Sequence, residues 1–173
     1  MSSKGALRTE ITKNGGMETL VQLLQPENDQ ELILSGLGCL INFAKDKQQI
    51  LSFKQAGGLQ ATLAVLENKI HTIQYQGLRF FASFIENDDF NKEICRAIGF
   101  IPRCVGLLTS THPGIQQTAT EVLAELISSN KCVETILSGG GLPPLLALID
   151  HQNDAVKRNA ILVIAALVSY DGI

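Results

Sequence analysis

One short pattern recurs four times in this chain at nearly constant spacing, and that recurrence limits the fold more than any other feature. Gly15-Gly16-Met17-Glu18-Thr19-Leu20-Val21-Gln22-Leu23-Leu24 is echoed by Gly57-Gly58-Leu59-Gln60-Ala61-Thr62-Leu63-Ala64-Val65-Leu66. Gly99-Phe100-Ile101-Pro102-Arg103-Cys104-Val105-Gly106-Leu107-Leu108 follows, then Gly140-Gly141-Leu142-Pro143-Pro144-Leu145-Leu146-Ala147-Leu148-Ile149. Gly15 to Gly57 and Gly57 to Gly99 are each 42 residues, and Gly99 to Gly140 is 41. A fixed period of this size marks a stacked repeat architecture, in which each unit buries its apolar face on its neighbours.

Every period divides the same way. Apolar anchors precede the glycines: Ile50, Leu51 and Phe53; Ile94, Cys95 and Ile98; Val133, Ile136 and Leu137. These read as short first helices ended by a left-handed glycine, a conformation that costs glycine little. A second helix follows the glycines, as in Leu20 to Leu24. It runs into loops of cap and turn formers, Pro26-Glu27-Asn28-Asp29, Thr111-His112-Pro113-Gly114 and Gln152-Asn153-Asp154. Third segments align without gaps as Gly36 to Ala44, Gly77 to Ile85, Ala119 to Ile127 and Ala160 to Val168. Each opens on a small residue that lets helices approach closely. Each then carries an apolar stripe at helical spacing, with Leu40, Phe81, Leu123 and Ile164 in its most consistently apolar column.

The balance of residues narrows the function. The chain is 45% hydrophobic and 18% charged, with 5% aromatic residues, no tryptophan and a formal net charge of −3. That composition suits helices packed through aliphatic side chains, and it offers no electrostatic footprint for nucleic acid or anionic lipid. Met1 to Asn14 is polar, so no secretory signal is expected. The longest strongly apolar stretch, Ala160 to Ser169, is far short of the roughly 20 residues of a membrane span. Cys39, Cys95, Cys104 and Cys132 form no C-x-x-C pair and read as reduced thiols of a cytoplasmic or nuclear protein. His71, His112 and His151 fall at equivalent loop positions, which spreads them along a repeat array instead of gathering them. Gly139-Gly140-Gly141 lacks the strand and lysine of a phosphate loop. These features lead us to expect a protein that is not an enzyme, with no cofactor and no metal.

The motif Ile50 … Gly57-Gly58-Leu59, together with Cys39-Leu40-Ile41-Asn42-Phe43-Ala44, resembles the armadillo repeat family, and the resemblance runs from about residue 5 to 170. It implies an all-α fold of about twelve helices, a right-handed superhelical solenoid of about four three-helix repeats. These would lie near residues 3–45, 46–87, 88–129 and 130–170 of a single domain, 1–173. It also implies that the third helices line a concave groove for a partner protein or extended peptide. The family's groove asparagine aligns with Asn42, Ser83, Glu125 and Ala166, and its tryptophan with Gly38, Arg79, Glu121 and Leu162. The expected groove residues are therefore Asn42, Arg79, Ser83, Glu121 and Glu125. The alternative for Arg79 and Glu121 is that they pair with each other, and for Asn42 that it bonds a neighbouring helix.

A rival reading makes the chain a structural segment of a longer array or a self-associating unit. Ala160 to Val168 contains no charged side chain, and an all-round apolar helix belongs in an interior. Ile161 and Leu162 are the residues expected to be left over for association, as a homo-oligomer or a fragment, unless residues 169–173 fold back over them. At the other end Ser3 to Asn14, with Leu7 and Ile11, would serve as a cap.

Overall fold

The repeat glycines bend the backbone in the same way. In the computed structural model, which describes residues 14–86 and 88–170, Gly15, Gly57, Gly99 and Gly140 have φ of 73°, 79°, 81° and 75°. Gly57, Gly99 and Gly140 each join a first helix to a second, and Gly15 stands at the start of its second helix. Gly57, for instance, follows the last turn of one helix and caps the next. The 42-residue period of the sequence is thus a period of one backbone bend.

Eleven helices lie among the described residues, and no strand does. They are α1 (Gly16–Leu23), α2 (Gln30–Phe43), α3 (Lys47–Gln55), α4 (Gly58–Val65), α5 (His71–Ile85), α6 (Asp89–Ala97), α7 (Phe100–Leu107), α8 (Pro113–Leu126), α9 (Asn130–Ser138), α10 (Leu142–Leu146) and α11 (Asp154–Val168). The cap expected of Ser3 to Asn14, with Leu7 and Ile11, and the twelfth helix expected there fall on residues 1–13, outside the described ones. The chain divides into two compact units, Met1–Phe84 and Ile85–Ile173. In the first, α1 packs on α2, α3 and α4. In the second, α8 packs on α7 and α11, and α9 on α6, α7 and α11.

The loops work as their composition suggests. Asp29, Asp46, Asp88 and Asn153 cap α2, α3, α6 and α11, their side-chain oxygens accepting from backbone N–H groups at 2.9 to 3.4 Å. Pro113 fills the first turn of α8, where its missing N–H is no loss. All the long helices start well before the aligned third segments. α11 therefore begins with Asp154, Lys157, Arg158 and Asn159, and only its second half is apolar all round.

The second glycine has a packing reason in the second and fourth repeats. A Cβ on Gly58 would stand 2.1 Å from the Phe53 ring, and one on Gly141 would stand 2.6 Å from Ile136 Cγ2. In the third repeat the sizes are exchanged. Phe100 replaces the second glycine, and Cys95 takes the place of Phe53 and Ile136; both are fully buried. Gly58→Ala should therefore cost about 1 to 3 kcal/mol by overpacking. The cost should shrink in a Phe53→Cys background, as thermal unfolding of the four variants will show. Equal costs in both backgrounds would refute the exchange.

The small residues heading the third segments let helices close up. A Cβ on Gly77 would come within 2.9 Å of Val65 Cγ1, and one on Gly36 within 3.2 Å of Leu23 Cβ. Ala119 and Ala160 are fully buried at the same place. Of the apolar column, Leu40, Phe81 and Leu123 are fully buried. Ile164 is only half buried, because among the described residues no further repeat covers that side of α11. Leu51 and Leu137 are exposed. Each follows a buried neighbour, Ile50 or Ile136, and one residue turns a helix by about 100°.

Candidate functional site

The long helices leave one column of each repeat in solvent between buried columns. In the first unit this column holds Gly38, Asn42 and Arg79, with Ser83 half buried. Asn42 Nδ2 donates to the Gly38 carbonyl of its own helix at 3.0 Å, and Gly38 has open space where a Cβ would be. The Arg79 guanidinium donates to Gln76 Oε1 at 3.2 Å and lies over the Tyr75 ring, 5.9 Å from its centroid. A guanidinium held by this ring and by Gln76 retains donors for an acceptor outside the chain. α2 and α5 are tied where they begin by Gln30 Nε2 donating to Thr72 Oγ1 at 3.4 Å.

In the second unit Glu121 is exposed and accepts from Gln117 Nε2 at 3.0 Å. Gln117 in turn accepts from Asn153 Nδ2 at 3.1 Å, so the cap of α11 orients the side chain that holds Glu121. Arg79 and Glu121 each have a partner on their own helix. Glu125 is committed differently from the sequence expectation. Its Oε1 is 2.9 Å from Lys92 Nζ, which also contacts Asp89 Oδ1 at 3.2 Å and donates to Ser128 Oγ at 2.9 Å. Lys92 is only 4% exposed. Burial pulls its pKa down, but hydrogen bonds to Glu125 and Asp89 more than offset this, so the ammonium is held above its ordinary value and stays charged. The sequence did carry a signal for it: Lys92 occupies the place that Ile50 and Val133 hold in the neighbouring repeats. A charge in an apolar column needs a buried partner.

The histidines serve the loops. His71 is the first residue of α5. His112 Nδ1 accepts from the Ile115 N–H at 3.4 Å as the cap of α8. His151 Nδ1 accepts from the Asn153 N–H at 3.0 Å, and its Nε2 is 3.2 Å from Gln116 Oε1, whose amide nitrogen donates to the Leu108 carbonyl at 3.1 Å. Cys95, Cys104 and Cys132 are buried and Cys39 is exposed; all four are free thiols. Burial pushes the Cys104 thiol far above its usual range. No group of three His, Cys, Asp or Glu among the described residues is placed to hold a metal ion, and no helix there is long and apolar enough to cross a membrane.

The fourth repeat keeps apolar residues where they are no longer covered. Ile161 is 50% exposed, although its equivalents Leu37, Leu78 and Thr120 are fully buried. Leu162, 49% exposed, takes the solvent column of Gly38, Arg79 and Glu121, and Val168 is 75% exposed. Desolvation and then the Glu134 carboxylate of α9 push the Tyr170 phenol up, while residues 171–173 lie outside the described residues.

No family model matches the chain. It is 24% identical to the human armadillo repeat-containing protein 3 over 90% of its own length and 18% of that protein's. It is 26% identical to vacuolar protein 8 of Candida albicans, over 98% of this chain and 29% of that one. With catenin beta of Urechis caupo the identity is 23%, over 86% and 18%. The chain thus spans less than a third of each of these relatives. Among solved structures, a computationally designed armadillo repeat protein for modular peptide recognition superposes with a TM-score of 0.82 at 21% identity, covering 92% of this chain and 67% of that one. A designed armadillo repeat protein in complex with the peptide (KR)4 gives 0.80 at 21% identity, over 92% and 67%. The chain is similar in sequence to armadillo repeat proteins along most of its length, and its fold is the armadillo repeat.

Proposed function

We propose that this chain is a protein-binding module, not an enzyme, and that the solvent column of its long helices receives an extended segment of a partner protein. The observation that carries this reading is the column itself. Each unit has its own stretch of it, flanked by buried positions: Asn42 and Arg79, with half-buried Ser83, in the first and Glu121 in the second. The fold is shared with a designed protein solved with (KR)4 bound. Side-chain amides, a guanidinium and carboxylates can bond a peptide main chain or its charged side chains without any chemistry being done on it. Glu125 belongs to the same face, but with Lys92 already in its grip. Titration of the chain with fluorescent (KR)4 and with an acidic peptide of the same length tests the reading. Replacing Asn42, Arg79, Ser83 and Glu121 together by Ala should remove most of the affinity while leaving the helical circular dichroism intact. Unchanged affinity in a folded variant would move the site to another surface.

A second reading is favoured by the apolar stripe of exposed Ile161 and Val168 with half-buried Ile164 between them. These residues recur at helical spacing on one side of α11, where the columns of Ile161 and Ile164 are buried in the other repeats. Here the chain stacks through its fourth repeat, on a further repeat of a longer array or on a second copy.

A further inference from the structure

Lys92 behaves like a partner's side chain that the protein supplies to itself. It is buried at a place that is apolar in the repeats on either side, and its ammonium meets Glu125, one turn beyond Glu121. From the sequence, Glu121 and Glu125 are two carboxylates available to a basic segment. In the structure the second already holds a cation, at 2.9 Å, and that cation is fixed by Asp89 and Ser128 as well.

We propose that Lys92 is the specificity-determining residue of the third-repeat face: by holding Glu125 it removes one of two carboxylates from the set that can receive a cation and leaves Glu121 as the single point that reads a basic side chain. This rests on the reading of the long-helix column as the partner site. The physical reason is competition. A partner's lysine or arginine arriving at Glu125 must displace an ammonium that is tethered in place and has already lost its water, whereas at Glu121 it displaces only solvent and a neutral amide. A neutral N–H donor of a partner main chain has no such rival, because it adds to the ion pair instead of replacing it. Repulsion between Lys92 and a basic side chain one turn away adds to the selection.

Three variants measured against (KR)4 at two salt concentrations test this. Glu121→Gln should weaken binding by about threefold to fivefold, the scale of an exposed charge pair. Glu125→Gln should change it by less than about twofold, because that carboxylate is not available to the peptide. Lys92→Met puts an apolar side chain where the repeats on either side have Ile50 and Val133, and the carboxylates it leaves unpaired, Glu125 and Asp89, are 39% and 89% exposed to water, so neither becomes a buried lone charge. This variant should bind (KR)4 about threefold to fivefold more tightly, with a steeper loss of affinity in high salt. Circular dichroism confirms that each variant is folded. Should Lys92→Met fail that check, Glu125→Gln against Glu121→Gln decides alone. Equal losses in those two variants, or a folded Lys92→Met with unchanged affinity and salt dependence, would overturn the role of Lys92. Loss of affinity in none of the variants, or no binding of (KR)4 at all, would overturn the column reading with it.

Discussion

Leu123→Ala and Leu40→Ala should each destabilise the protein by about 2 to 5 kcal/mol, while Ile164→Ala, in the same repeat column, should cost well under half as much. Leu40 and Leu123 are fully enclosed, so removing their methyl groups loses transfer free energy and also leaves a cavity that neighbouring helices fill only partly. Ile164 is only partly buried, so part of its surface is wet before the mutation and water reaches the gap after it. Urea unfolding followed by circular dichroism measures all three. The contrast carries more weight than any single value, since three equal losses would mean that the fourth repeat is covered in solution. A Leu123→Ala variant as stable as the parent would show the helix register to be wrong.

Self-association is expected to depend on α11 in the same direct way. In sedimentation velocity the parent chain should show a sedimentation coefficient that rises with concentration, and Ile161→Glu should abolish the rise. Ile161 is half exposed in a column that is otherwise buried, and Leu162 and Val168 extend the apolar surface beside it. Burying one such side chain contributes about 1.5 to 3 kcal/mol, so placing a charge at the centre of the contact should weaken association by at least about tenfold. The stability of Ile161→Glu should stay near that of the parent, because the position is half open to water in the single chain. Glu121→Gln, on the solvent column of the preceding repeat, is the control and should leave association unchanged. A parent chain that stays monomeric at high concentration would exclude the second-copy form of this reading.

Local chemistry made much of this protein legible from its sequence. The left-handed bend before each second helix needs glycine whatever surrounds it, so Gly15, Gly57, Gly99 and Gly140 announced the period. Cap residues such as Asp29 and Asn153 act within three residues of themselves. The small residues Gly36, Gly77, Ala119 and Ala160 marked the helix contacts because the aligned segments share one register. The structure was needed wherever the deciding partner is remote in sequence. Glu125 is spent on a lysine 33 positions earlier, and Gln117 is held by an asparagine 36 positions later. The exchange of Phe53 and Gly58 for Cys95 and Phe100 is visible in the sequence, but it means nothing until the two side chains are seen to meet. Repetition specifies what every repeat must do alike. Burial is a property of what lies on top, so identical column positions such as Leu123 and Ile164 part company only once the neighbours are in place.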